Sequence, residues 1–481
     1  MTALAAELRR IVGESHVITR AMRLLVYRSD ALPGLQRQPA LAVFPGTRAE
    51  LIAVVRALAA ADAPFVARGA GTGLSGGALA DDITLLGLHR LKRIIAIDPV
   101  ARTATVEPGV VNALLTRAAV PFGLHFAPDP SSQSACTIGG NVAENSGGVH
   151  CLKYGMTLQN LVRVRGYLCD GEPVDIGTVG ADTSGLDLLP LVAGSEGMLV
   201  VVTEVTVRLL LIPRVARCVM ASFGTVAEAG DAVAAIIADG IIPAGLEMLD
   251  QAAARLVEPF ARAGYDLEAA AVLLCESDGT PEEVEEEIAR MTASLRASRA
   301  THVRVSESEA ERQRFWAGRK SAFPAAGRVA PAYYCMDGTI PRRHLGAMLT
   351  FIQSLERRHG LRCPNVFHAG DGNLHPLILF DDGDADSVRR AEAFGADILE
   401  ACVRLGGTVT GEHGVGVEKL GPMCQQFGRD ELDAFLGVKR AFDPAGGLNP
   451  GKAIPTPHRC AEHGRMLVKR GALPFPDLPR F

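Results

Sequence analysis

Apolar positions change rhythm twice along this chain. Residues 1–36 carry the spacing of one or two helices and then become irregular. From residue 42, short apolar runs alternate with longer amphipathic ones, which predicts strands interleaved with helices. Residues 42–45 and 64–68 are predicted strands, and residues 49–61 an Ala- and Leu-rich helix with Thr47 as its N-cap. Further strands are expected at 94–98 and 104–107 and a helix at 112–119; an apolar run at 199–212 closes this half before Pro213. Beyond Pro213, helical stretches at 227–239 and 281–300 alternate with strand-like pieces such as 271–276. That is an α+β pattern, helices laid on an antiparallel sheet. The expected division is an N-terminal helical segment (1–36), an αβ domain in two subdomains (37–213), an antiparallel-sheet domain (214–452) and a tail (453–481).

At 481 residues the chain exceeds one ordinary core, so more than one domain is required. A composition of 48% hydrophobic and 21% charged residues is globular, and a formal charge of −5 gives no basis for nucleic-acid binding. The longest apolar run, 199–212, is interrupted by Glu204 and Arg208, which argues against a membrane-spanning helix. Met1 to Arg10 lacks a signal-peptide core. Ten cysteines are scattered without a C-x-x-C pair, so neither a zinc ribbon nor an iron–sulfur cluster is encoded. They read as free thiols in a reducing compartment, the cytoplasm.

Gly71-Thr-Gly-Leu-Ser-Gly76 matches G-x-G-x-x-G, and Asp98 follows near the ribose-binding distance. The dinucleotide motif, however, needs a helix to open at those glycines. Here Gly77-Ala-Leu-Ala-Asp-Asp-Ile-Thr lacks helical periodicity and runs into a strand, which argues against a nicotinamide site. Five glycines in residues 69–77, with Thr72 and Ser75, suit backbone N–H groups wrapped around a diphosphate. Two further runs, Pro128-Asp-Pro-Ser-Ser132 through Thr137-Ile-Gly-Gly-Asn-Val-Ala-Glu-Asn-Ser-Gly-Gly148 and Gly194-Ser-Glu-Gly197, let backbone approach a flat ligand closely.

In His368-Ala-Gly-Asp-Gly-Asn-Leu-His375, Asp371-Gly372 predicts a two-residue type I′ turn. That register sets His368 opposite His375, with Cβ atoms roughly 4.5–5.5 Å apart. Gly411-Glu-His-Gly414 adds a carboxylate and a third imidazole. Such a group suits one divalent ion, although ligand type does not separate Zn²⁺ from Mn²⁺ or Fe²⁺. The plain alternatives are a stacked structural histidine pair, a salt-bridging Glu412, and an Arg319 solvated within its charged segment.

Together these motifs resemble the FAD-linked oxidases of the vanillyl-alcohol-oxidase type, with the PCMH flavin-binding fold. The resemblance rests on Arg68-Gly-Ala-Gly-Thr-Gly, Pro128-Asp-Pro-Ser-Ser, Gly139-Gly-Asn-Val-Ala-Glu-Asn, the two histidine turns and Phe442-Asp-Pro-Ala-Gly-Gly-Leu-Asn-Pro-Gly-Lys452. Phe315-Trp-Ala-Gly-Arg-Lys-Ser-Ala-Phe-Pro, Tyr333-Tyr-Cys-Met-Asp-Gly-Thr-Ile-Pro-Arg-Arg343 and the tail are similar to one branch, the FAD-linked subunits of bacterial glycolate oxidases. The resemblance implies a PCMH-type FAD-binding domain, an antiparallel-sheet substrate domain and a C-terminal helical segment.

It further implies that Arg68, Gly69, Ala70, Gly71, Thr72, Gly73, Leu74, Ser75, Gly76 and Gly77 surround the FAD diphosphate. Pro128, Asp129, Ser132, Thr137, Gly140, Asn141, Asn145, Ser146, Gly147, Glu196, Gly197, Val202 and Asn449 would line the rest of the cofactor. No histidine occupies a covalent-link position, which implies non-covalent FAD. His368, His375 and Glu412 would bind a divalent metal, zinc or manganese, with His413 the catalytic base and Arg319 gripping the substrate carboxylate. Phe323 and Cys335 stand where relatives acting on D-2-hydroxyglutarate carry threonine and lysine, which favours a small monocarboxylate. Val200 replaces a usual glycine.

The implied activity is oxidation of glycolate to glyoxylate, and of D-lactate to pyruvate, by hydride transfer to FAD N5. Electrons would pass to quinone through an iron–sulfur subunit and a second flavoprotein-like subunit, with contact to the inner face of the cell membrane only through those partners. The tail after Lys452 is expected to dock a partner. The rivals are a stand-alone D-lactate or other D-2-hydroxyacid dehydrogenase with a cytochrome or dye acceptor, and a non-catalytic assembly subunit.

Overall fold

The computed structural model describes residues 2–180, 185–456 and 460. The first sheet has four strands in the order Val17–Ile18, Leu41–Val43, Thr84–Gly87, Phe65–Arg68. The last three run parallel, and Val17–Ile18 pairs antiparallel to Leu41–Val43. The helix Arg48–Ala60 crosses over from Leu41–Val43 to Phe65–Arg68, parallel strands that flank Thr84–Gly87. It starts where expected, because Thr47 Oγ1 accepts the N–H of Glu50 and so satisfies one orphan donor of the first turn. The glycine loop after Phe65–Arg68 leads into the strand Thr84–Gly87 with no helix between them, as its sequence predicts.

The second sheet is antiparallel: Ile94–Asp98, Thr103–Val106, Val201–Arg208, Leu161–Tyr167, Pro173–Gly177. The apolar run at 199–212 supplies its central strand, which is why that run reads as nearly continuous hydrophobicity. The third sheet, also antiparallel, orders His302–Val305, Val215–Phe223, Ala271–Gly279, Gly245–Asp250, Val366–His368. The helices Val226–Ala238, Pro281–Ala297 and Leu345–His359 bury their apolar stripes against it. This is the predicted α+β layering.

Two expectations change. Cys424 and Cys460 form a disulfide, their Cα atoms 5.2 Å apart, because the chain after Lys452 returns to the helix Leu420–Gln426. Eight cysteines remain free and seven of those are buried, so thiol usage does not identify a compartment. Among the described residues no helix is long and apolar enough to cross a membrane. The apolar tail segment from Leu473 lies outside the described residues.

The second and third sheets' regions are locked by a buried charge network. His150 stands between Asp129 and Glu276, with Nδ1 2.8 Å from Asp129 Oδ2 and Nε2 3.2 Å from Glu276 Oε1. Glu276 also accepts from Arg312 at 2.7 Å and from the indole N–H of Trp316. Burial alone would push the His150 imidazole down, but the Asp129 and then the Glu276 carboxylate raise it to about 10. Because the folded value exceeds the ordinary 6.5, this stabilisation is complete below 6.5 and is lost as pH rises through about 10. His150→Gln should therefore cost about 3 kcal/mol of unfolding free energy at mildly acidic pH. Denaturant titrations should show the difference from the parent shrinking as pH passes through about 10.

Candidate functional site

A cleft of about 420 Å³ runs from the glycine loop to the two histidine turns. Of the residues assigned to a cofactor, Arg68, Gly69, Ala70, Gly71, Thr72, Gly73, Leu74, Gly77, Ser132, Thr137, Gly140, Asn141, Ser146, Gly147 and Glu196 line it. Gly197 and Val202 line a smaller adjoining cavity of about 50 Å³, together with Val200, Gly69, Thr137 and Gly140. The remainder stand behind the wall. Pro128 O accepts from Asn112, Asp129 is engaged by His150, and Asn145 Oδ1 takes the N–H of Leu158. Ser75 O accepts two N–H groups, from Val417 and Glu418, while Gly76 abuts Val417. Asn449 Nδ2 donates to Gly77 O at 3.1 Å and to Glu196 O at 2.6 Å, which holds two glycine loops together.

The glycine cradle fits a dinucleotide. A Cβ on Gly69 would lie 2.5 Å from Thr137 Oγ1. One on Gly71, whose φ is +73°, would overlap the Arg68 guanidinium. Thr137 N-caps the short helix Ile138–Glu144 inside the second glycine-rich run. Glu144 lines the cleft, its Oε2 buried with no hydrogen-bond partner. Burial, then the neighbouring Glu196, pushes the Glu144 carboxyl well above its usual range.

At the other end the hairpin register differs from the predicted one. Gly372 has φ +83°, but Asp371 is not among the positive-φ residues, so the turn is not type I′. The connection is four residues long, closed by Gly372 N–H to His368 O at 3.0 Å, and His368 pairs with Asn373 instead of His375. Neighbouring chain decides this: Gly370 N–H is taken by Leu246 O and Leu374 N–H by Gly338 O. The flanks then part, Val366–His368 joining the five-stranded sheet and Leu377–Phe380 pairing with Ala332–Cys335. A slip of two residues keeps side chains on the same face, so the two imidazoles still meet. Their centroids are 4.9 Å apart, edge to face.

Glu412 completes the group. Its Oε1 is 3.1 Å from His375 Nε2, 3.4 Å from His368 Nε2 and 3.7 Å from His413 Nε2. Ligand atoms of His368, His375 and Glu412 all lie within 4.8 Å of one another, a donor set that fits one divalent cation. Cys335, His375 and His413 form a second group of that kind. Burial would push the His368 imidazole down, but the Glu247 carboxylate, helped by Glu412, raises it well above its ordinary value. The surrounding carboxylates favour positive charge here, the complement that a dication would need in place of the proton. His413 stacks on His375 at 4.9 Å. Burial lowers its pKa to about 4 against the pull of Asp337, so it is neutral at neutral pH.

Arg319 is not solvated. It is 2% exposed, lines the cleft and meets Glu247 Oε2 through Nε at 2.7 Å. Two carboxylates that hold candidate site residues escaped the sequence reading. Glu247 bridges Arg319 and His368, and Asp337 accepts the N–H groups of Gly411, Glu412 and His413. Each stands in an ordinary strand or turn, and only a buried acid in an apolar run, Gly245-Leu-Glu-Met-Leu249, hinted at the first.

Comparison with known proteins agrees with this architecture. The family model "FAD linked oxidases, C-terminal domain" matches residues 212–453, and "FAD binding domain" matches residues 39–177. The chain is 52% identical to glycolate oxidase subunit GlcD of Escherichia coli strain K12, over all of this chain and 96% of that protein. It is 37% identical to glycolate oxidase subunit GlcD of Bacillus subtilis strain 168, over 89% of this chain and 92% of that one. The solved structure of p-cresol methylhydroxylase with substrate bound superposes with a TM-score of 0.81 at 18% identity, covering 94% of this chain and 96% of that one.

Gly71→Val should fill the cradle. Purified variant should lose the yellow flavin absorbance while its far-ultraviolet circular dichroism stays that of the parent.

Proposed function

This chain belongs to the FAD-linked oxidases and is an FAD-dependent hydroxyacid oxidoreductase, and from that premise we propose glycolate as its principal substrate, with oxidation to glyoxylate. The observation that carries the reading is a base, a cation-seeking ligand group and a guanidinium converging at one end of a glycine-lined cleft. The glycine loop at 69–77 and the run at 137–147 would hold FAD along that cleft, where it would supply the acceptor for the hydride leaving the substrate Cα. A divalent cation on His368, His375 and Glu412 would polarise the substrate hydroxyl and lower its pKa.

The remaining work falls to the chain itself. Arg319 receives the substrate carboxylate, since a guanidinium engaged through Nε still offers both terminal nitrogens as a fork. His413, neutral and buried, takes the hydroxyl proton on Nε2, the nitrogen nearer Glu412. Phe323 and Tyr333, with ring centroids 5.8 Å apart, line the same cleft and close it with apolar surface. A second carboxylate on the substrate would be buried there unpaired, at a cost that excludes dicarboxylic acids. D-Lactate, one methyl larger, is the second substrate this wall admits.

The relatives named above are subunits of glycolate oxidases, and we place this chain in a like assembly. Its cysteines have no cluster spacing, so onward transfer runs through an iron–sulfur partner and a second flavoprotein-like subunit.

Anaerobic mixing of the purified protein with glycolate, D-lactate and L-lactate should bleach the flavin band fastest with glycolate, and a band untouched by all three would overturn the reading. His413→Asn should keep its flavin yet be reduced by glycolate roughly 10²–10⁴-fold more slowly. Phe323→Ala should raise kcat/KM for D-lactate relative to glycolate by about 10-fold, because it removes wall contacting the extra methyl.

A further inference from the structure

We propose that Glu247 is a positioning residue that couples the cation site to the substrate-carboxylate site, so that each occupant tightens the other. The inference rests on the functional reading above and adds a thermodynamic link between its two halves.

Glu247 lies in the strand Gly245–Asp250 and is 1% exposed. It is the register partner of His368 on the antiparallel neighbour, so the two side chains share a face by construction. Each carboxylate oxygen has its own task. Oε1 lies 2.6 Å from His368 Nδ1, and Oε2 lies 2.7 Å from Arg319 Nε. The first contact fixes the imidazole with its proton on Nδ1 and turns Nε2 toward Glu412, the tautomer a metal ligand needs. The second pins the guanidinium by its Nε edge and aims the terminal fork at the cleft.

One charge therefore serves two cations. A cation on His368 polarises the Nδ1–H bond and draws carboxylate charge toward Oε1. Arg319 is then less neutralised and attracts an incoming carboxylate more strongly. By linkage, a bound carboxylate on Arg319 must strengthen cation binding by the same factor. Contact of the ligand with the cation gives some reciprocity by itself, so the share owed to Glu247 is the share that disappears when Glu247 is changed.

The test uses full-length protein carrying FAD, stripped of metal with a chelator, with Mn²⁺ binding followed by electron paramagnetic resonance with and without glyoxylate. In the parent, glyoxylate should tighten Mn²⁺ at least about fivefold. Glu247→Gln should retain flavin, weaken Mn²⁺ by about 10–100-fold, and lose most of the glyoxylate effect. Its KM for glycolate should rise by more than its kcat falls. Glu247→Asp keeps the charge on a shorter arm that cannot span both partners, and should also lose the coupling. Glu247→Asp also decides the matter if the glutamine variant does not fold. Parent protein without reciprocity, or coupling undiminished in Glu247→Gln or Glu247→Asp, would overturn the inference while leaving glycolate oxidation standing. Parent protein that neither binds Mn²⁺ nor is bleached by glycolate would instead overturn the functional reading itself.

Discussion

The site depends on one buried carboxylate. Asp337 is fully buried and accepts the N–H groups of Gly411, Glu412 and His413, the hydroxyl of Thr410 and the ammonium of Lys419. Without it, the N–H groups of Glu412 and His413 would lose their partner, and neither residue would have a defined direction. Burial works against the charge, yet His413 and Lys419 beside it hold the Asp337 carboxyl well below the usual carboxylate range. Lys419, equally buried, also donates to Gly414 O at 3.0 Å and so ties both ends of the turn to one anion. An isolated buried charge of either sign would be prohibitive, and the pair is tolerable because both members are richly hydrogen-bonded.

A parallel arrangement joins the cofactor end to the histidine end. Glu196, at the third glycine run, accepts the N–H groups of Val415 and Gly416 at 2.7 Å each. Asn449 and Lys452, far along the chain, both donate to Gly77 O, and Lys452 also reaches Leu79 O. The glycine loop at 69–77 and the turn that carries His413 are therefore cross-braced by buried polar contacts. Networks of that kind specify geometry more than they add stability, which suits a site whose donor and acceptor must meet within a fraction of an ångström.

Much of this was legible from residue pattern. The helix cap at Thr47, the central strand within 199–212, the helix-free glycine loop and the antiparallel sheet after Pro213 follow from periodicity and cap chemistry. The grouping of His368, His375, Glu412 and His413 is legible too, although the turn between His368 and His375 differs from the one the sequence predicts. The predicted two-residue turn fails because Leu246 O and Gly338 O, distant in sequence, claim the N–H groups of Gly370 and Leu374. The outcome survived because a two-residue shift preserves strand parity.

What the amino-acid order determined by itself was local: where elements begin, which faces are apolar, and which segments carry ligand-type side chains. Tertiary structure alone decided that Glu247 and Asp337 serve the site, that Arg319 is clamped and not solvated, and that Cys424 meets Cys460. The physical reason is that hydrogen-bond satisfaction in a buried interior is a long-range condition. A carboxylate's role there depends on which donors the fold brings to it, and those donors lie 72 residues away for Glu247 and 82 for Asp337.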